Sequence, residues 1–210
     1  MTNAYQPADQ ALKVALCIAP GSEEMEVINT ADILIRAGMQ LTIASAAEDG
    51  SLAVKGSRGI TLTADCPLVD IADEPFDCVV LPGGLPGAEY LRDSTLVVEF
   101  VKQHKYDGKL VAAICAAPVI VLEHHGLYPE ALMTAHPAFV ERIPEDRRRA
   151  GRRVMFDVNN NLLTSQAPGT SQEFALEIIT LLMGKSKTAE VAEPMVMWPS
   201  MCFDVIGGKA

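Results

Sequence analysis

The stretch KLVAAICAAPVIVLEHHG, residues 109–126, holds the fold in miniature. Lys109 to Ile114 form an apolar run of the length of a strand buried on both faces. Cys115 follows, then Ala116, Ala117 and Pro118, then an apolar segment that closes at Gly126. Proline suits the first turn of a helix, where its missing N–H costs nothing. The order predicted is strand, sharp turn, helix, with Cys115 at the turn. Small residues on either side, Ala113 and Ala117, let the two backbones approach, as at the nucleophile elbow of hydrolases. A thiol there faces the positive end of the helix dipole, which favours its anion, and the next N–H is free to bind an oxyanion. The other reading is a small hydrophobe, the commonest role of a free cysteine. Spacing alone leaves the two open.

The same alternation extends outward along the chain. LKVALCIAPG (12–21) reads as a buried strand, and SEEMEVINTADILIRAG (22–38) as a helix capped by Ser22 and ended by Gly38. QLTIASA (40–46) is a second strand, and SLAVKGSRGITLTAD (51–65) two short strands about Gly56 to Gly59. FDCVVLPGG (76–84) is a strand entering a Pro/Gly loop, and DSTLVVEFVKQHKYDG (93–108) a helix. RRVMFDVNNNLLTS (152–165) is a hairpin about its asparagines. TSQEFALEIITLLMGK (170–185) is an amphipathic helix, and SKTAEVAEPM a shorter one. Buried strands alternating with helices imply an α/β fold with a mostly parallel sheet covered on both faces.

The chain of 210 residues, 49% hydrophobic, is read as one domain over 1–210. Residues 1–11 are expected to be a loose extension, and 195–210 an apolar tail that packs on the domain or joins a subunit contact. No apolar run approaches the ~18–20 residues of a membrane span, and MTNAYQPADQALK lacks the layout of a secretory signal. A net charge of −10 argues against nucleic-acid and anionic-membrane partners. Five cysteines, an odd number with no CxxC spacing, read as free thiols in a reducing cytoplasm. Cys17 and Cys78 fall within strands and read as core, Cys66 as loop, Cys202 as tail.

A cysteine nucleophile needs acid–base help and an anion hole. His104, His124 and His125 lie near helix ends, where histidines serve the negative end of the dipole. His136, in the loop MTAHPAF, is the best partner by elimination. Glu23, Glu24 and Glu26 begin the first helix, and spacing does not say which turns inward. LPGG (81–84) is either a second source of anion-hole N–H or an ordinary turn. Nothing matches GxGxxG, a P-loop or HExxH, so no nucleotide or metal is expected.

Taken together, APGSEEMEV, IRAG, GSRGI, VVLPGG, AAICAAP, HPA and TSQAPGTSQEFAL resemble the ThiJ/PfpI (DJ-one) superfamily, nearest the branch of bacterial YajL and the human parkinsonism-associated protein. The likeness runs from about residue 12 to about residue 197. It implies a flavodoxin-like, doubly wound α/β/α sandwich, a homodimer and no cofactor. It implies that Cys115 is the elbow cysteine, Glu26 the carboxyl bonded to it, and Gly84 and Ala116 the anion-binding amides. His136 matches the family histidine, Arg36 and Arg58 match dimer-side arginines, and Pro168 and Gly169 lie at the pocket rim. Two departures are visible: Ala167 stands where relatives often have glycine, and Gly56 where some carry a cysteine.

The activity the resemblance implies is cofactor-independent glyoxalase or protein deglycase chemistry in carbonyl and oxidative stress. The substrates implied are methylglyoxal, glyoxal and glycated proteins. The alternatives are a redox-sensing, chaperone-like protein with an oxidisable cysteine, or another superfamily hydrolase or hydratase.

Overall fold

The computed structural model describes residues 11–197. The elements in chain order are β1 (Lys13–Ile18), α1 (Glu24–Arg36), β2 (Gln40–Ser45), β3 (Ala53–Lys55), β4 (Thr61–Thr63), β5 (Cys66–Pro67) and β6 (Cys78–Leu81). Then come α2 (Leu85–Asp93), α3 (Thr95–Tyr106), β7 (Leu110–Ile114), β8 (Val154–Asp157), β9 (Leu162–Ser165), α4 (Ser171–Met183) and α5 (Lys185–Ala192).

Seven strands form one sheet in the order β5-β2-β1-β6-β7-β9-β8. All neighbours are parallel except β8 and β9, the hairpin expected about Asn159 to Asn161. β3 and β4 pair antiparallel as a separate ribbon. The order reverses at β1, whose neighbours are β2 and β6, and this doubly wound arrangement opens a crevice beyond the strand ends there.

The alternation of strand side chains divides the core between two faces. Val14, Leu16 and Ile18 point towards α1, α4 and α5, where they meet Val27, Leu34, Phe174, Ile178 and Val191. Ala15 and Cys17 point the other way, into a cluster with Val79, Leu81, Val97 and Val101. Each fully buried Leu, Ile, Val or Phe contributes about 1.5–3 kcal/mol over its exposed state. Both clusters use the same strands, so the central sheet is rigid where the site is built.

Several expectations change. Ser22 does not cap α1: its hydroxyl accepts the Ala19 N–H at 3.0 Å, and the Glu23 side chain takes the capping role. PGGLPG is not only a loop, because α2 begins at Leu85. Cys66 lies on a short strand against β2. The segment after Pro118 is a π-helical turn over Pro118–Glu123, wider than an α-helix. His104 is no surface charge at a helix end. It is 4% exposed, with one ring nitrogen 2.8 Å from the Phe100 carbonyl and the other accepting the Phe76 N–H.

The expected extension falls on residues 1–10, outside the described residues save for Ala11, and most of the tail falls on 198–210, also outside them. Of the tail's described part, Met195 and Met197 pack against the core.

Candidate active site

Three chain turns meet at the carboxyl ends of β1, β6 and β7. The turn after β1 delivers Glu23 to Glu26, that after β6 delivers Gly83 and Gly84, and that after β7 delivers Cys115. Cys115 has φ of +66°, a left-handed conformation rare for a residue with a Cβ. Such strain costs about 1–3 kcal/mol and persists only where the surroundings over-determine it. Here the Cys115 N–H donates to the Ser165 carbonyl at 2.9 Å, and its carbonyl accepts the His136 N–H at 2.8 Å. The elbow is therefore clamped on both sides by main chain from elsewhere in the sequence. Cys115 is 7% exposed, while Cys17 and Cys78 are wholly buried core thiols, as expected.

The sequence resemblance named Glu26, Gly84 and Ala116, and the structure brings all three to the thiol. The Gly84 and Ala116 N–H groups lie near enough to the Cys115 sulfur to favour its anion. Glu26 is 1% exposed, and its Oε2 accepts the Gly83 N–H at 2.6 Å. Its Oε1 is buried without a partner of good hydrogen-bond geometry, and the group nearest to serving as one is the Cys115 thiol. Gly83 itself escaped notice in the sequence. A Cβ there would stand 2.9 Å from both the Cys115 sulfur and Glu26 Oε2, and 2.5 Å from the Cys115 Cβ. Only glycine lets thiol and carboxyl meet across this turn, and the doubled glycine of LPGG was the available signal.

Burial dominates the electrostatics of the pair. It lifts the Glu26 carboxyl to about 8, against the pull of the Gly83 and Cys115 hydrogen bonds. Burial and the neighbouring Glu26 charge push the thiol up to about 12, while the Gly84 and Ala116 N–H groups pull it down. The expectation of an acidic thiol, drawn from amides and a helix dipole, left burial out. It also assumed a longer helix than the π-helical turn present. At neutral pH Glu26 holds its proton, which removes the like charge opposing the thiolate and offers a donor to it.

The other named residues fall around this centre. His136 is half-buried and joined to the elbow through its main chain. Its Nδ1 accepts the Ala138 N–H at 3.1 Å, so Nε2 carries the hydrogen of the neutral ring. Pro168 and Gly169 form the turn after β9, and the Gly169 carbonyl accepts from Arg153 at 2.9 Å. Arg36 and Arg58 lie away from the thiol. Arg36 pairs with Asp32 on the exposed side of α1, and the Arg58 N–H donates to Glu24. Glu24 is buried, yet N–H donors from its own residue, Arg58 and Ile60 and the Ser57 hydroxyl outweigh burial and hold its carboxyl below the usual range. It is the clasp of the β3–β4 ribbon. Among the described residues no group of three or more His, Cys, Asp or Glu side chains is placed to hold a metal.

A doubly wound sheet with a left-handed cysteine at the turn after β7, facing a glycine loop, defines a flavodoxin-like α/β protein. The chain belongs to the DJ-1/PfpI family, whose model matches residues 12–181. It is 41% identical over 186 residues to protein dj-1beta of Drosophila melanogaster, covering 88% of this chain and 97% of that one. It is 33% identical over 192 residues to the glutathione-independent glyoxalase DJR-1.2 of Caenorhabditis elegans, covering 89% and 98%. The crystal structure of VC2308 protein superposes with a TM-score of 0.90 at 41% identity, over 95% of this chain and 100% of that one. Against DJ-1 homologs B and A of Arabidopsis thaliana, both longer proteins, the chain spans 42% and 47% of their length.

Proposed function

We propose that this protein is a cofactor-independent glyoxalase that isomerises and hydrates methylglyoxal or glyoxal to the 2-hydroxy acid. The observation that carries the reading is the left-handed Cys115, its sulfur set beside the Gly84 and Ala116 amides and the buried Glu26 carboxyl. A relative of similar length named as a glutathione-independent glyoxalase supports it.

In this reading Cys115 passes its proton to solvent and its sulfur adds to the aldehyde carbon, forming a C–S bond. The Gly84 and Ala116 N–H groups hold the new oxyanion, and Glu26 protonates it to the hemithioacetal. The Glu26 carboxylate then takes the hydrogen of the former aldehyde carbon as a proton. Its electron pair moves into an enediol, which is reprotonated at the neighbouring carbon. The former carbonyl carbon is reduced, and the sulfur-bearing carbon becomes a thioester. Water cleaves the C–S bond, releases the hydroxy acid and restores the thiol. His136, with its Nε2 hydrogen, assists as a donor at the second oxygen. The reading extends to early carbonyl adducts on proteins, the deglycase activity, and to a role in carbonyl and oxidative stress in a reducing cytoplasm.

The assembly proposed is a homodimer. Met25, Ile28 and Ile35 form an exposed apolar stripe on α1, 51–59% exposed, with the Asp32–Arg36 pair between them and Ile60 exposed on the β3–β4 connection. A second copy would cover this stripe.

The test is turnover of methylglyoxal and glyoxal without added thiol, comparing the protein with Cys115→Ser. Formation of hydroxy acid, abolished in the variant, is expected. No turnover, or equal turnover in both, overturns the reading. Limited iodoacetamide, followed by peptide mapping, is expected to label the partly exposed Cys115 ahead of the wholly buried Cys17 and Cys78.

A further inference from the structure

Three acidic residues open α1, yet the mechanism uses one and the ribbon clasp another. Glu23 is left over, and it is 6% exposed. Its Oε2 accepts the Glu26 N–H at 2.8 Å, and its own N–H donates to the Gly83 carbonyl at 3.0 Å. Gly83 in turn donates to Glu26 Oε2 at 2.6 Å. Glu23 thus closes a ring of three hydrogen bonds around the carboxyl that works against Cys115.

We propose that Glu23 is a positioning residue for Glu26: it fixes the Glu26 backbone and the Gly83 donor, and sets a second carboxyl beside the acid that works against Cys115. The proposal rests on the reading of Glu26 as the acid–base group. The charged groups about the site are few. Glu26 faces Glu23 from its own helix and the Cys115 thiol from the elbow, and the turn after β6 brings only main-chain donors. Glu23 faces Glu24 and Arg58. Burial, with the like charge of Glu24, raises Glu23 overall, against the pull of the Glu26 and Met25 N–H groups and of Arg58. A neutral cap such as serine or asparagine would satisfy the helix end equally well. A glutamate also supplies a second buried carboxyl three residues from the acid, one that can carry charge.

The experiment follows the Glu26 carboxyl by infrared titration, its band identified by its loss in Glu26→Gln, alongside the pH profile of methylglyoxal turnover. Glu23→Gln keeps an acceptor for the cap and removes the charge. It is expected to move the Glu26 midpoint down by about 0.5–1 pH unit, the scale of a nearby like charge. The alkaline limb of the turnover profile should move with it. Glu23→Asp, which keeps the charge, should hold the midpoint close to wild type. Should glutamine disturb the fold, Glu23→Ser caps without charge and gives the same comparison. An unmoved midpoint in the charge-removing variant, with the Glu26 band present, overturns the role of Glu23 and leaves that of Glu26 standing. Absence of any Glu26-dependent band overturns both.

Discussion

Replacing Glu26 by glutamine should change how stability depends on pH, whatever it does to turnover. The native carboxyl titrates near 8 against the usual 4.5, because burial disfavours its charge. Between those values the native state holds a proton that the unfolded chain has lost. A group raised in this way contributes stability that is fully present below the unfolded value and is lost as pH rises through the folded one. At about 1.4 kcal/mol per pH unit, the interval caps the effect at about 5 kcal/mol. With Glu26 almost wholly buried, an effect of about 2–5 kcal/mol is expected. Glutamine has no proton to lose, so the stability of Glu26→Gln relative to wild type should climb from about pH 5 to about pH 8 and then level off. Urea denaturation at a series of pH values measures the difference directly. A difference that stays flat within about 0.5 kcal/mol would mean that Glu26 is ionised throughout, and the proton-sharing account of the thiol would fall.

Gly83→Ala should abolish turnover and lower stability, since its methyl meets backbone-anchored Cys115 and Glu26 at under 3 Å; a fully active, equally stable variant would refute the packing argument. His104, held neutral by burial, should make the protein less stable as pH falls through the ordinary histidine range near 6.5, because the unfolded chain takes up the proton first. His104→Gln should flatten that acid limb in thermal melts. Ile28→Glu, in the middle of the exposed stripe on α1, should yield a single-chain mass in light scattering where the parent gives twice that. A parent that already scatters as one chain would remove the dimer from the account.

Much of the fold was legible because local signals agreed with the tertiary outcome. β1 and β7 are apolar runs bounded by glycine or small residues, and the asparagine run marks the β8–β9 turn. The failures have physical reasons. In LPGG the glycines read as a turn or as a source of anion-hole N–H, and no helix was expected to start at Leu85. Yet Gly87 lies against the Ser22 backbone, where a Cβ would come within 2.4 Å of its nitrogen, and this packs the starts of α1 and α2 together. That is a contact between distant segments, invisible to local propensity. The cap moved from Ser22 to Glu23 because the serine hydroxyl was taken by Ala19, within the preceding turn. His104 looked like a dipole partner because spacing cannot tell which side of a helix end is roofed by another loop, here the Phe76 segment. At the site, Cys115 was legible as a turn residue from its neighbours. The inward carboxyl was not, since Glu23 and Glu24 turn out to be buried too, and only the resemblance singled out Glu26.

The clamped elbow has a consequence for how the protein comes into being. The bond that holds the Cys115 N–H comes from Ser165, fifty positions onward, and the one on its carbonyl from His136. During synthesis, a nascent chain that has emerged only as far as the elbow has no means of keeping the cysteine left-handed. It relaxes to an ordinary backbone geometry with an unremarkable thiol. The elbow takes its shape only when β9 docks beside β7, so the last strand of the sheet to be made is the one that sets the cysteine's backbone.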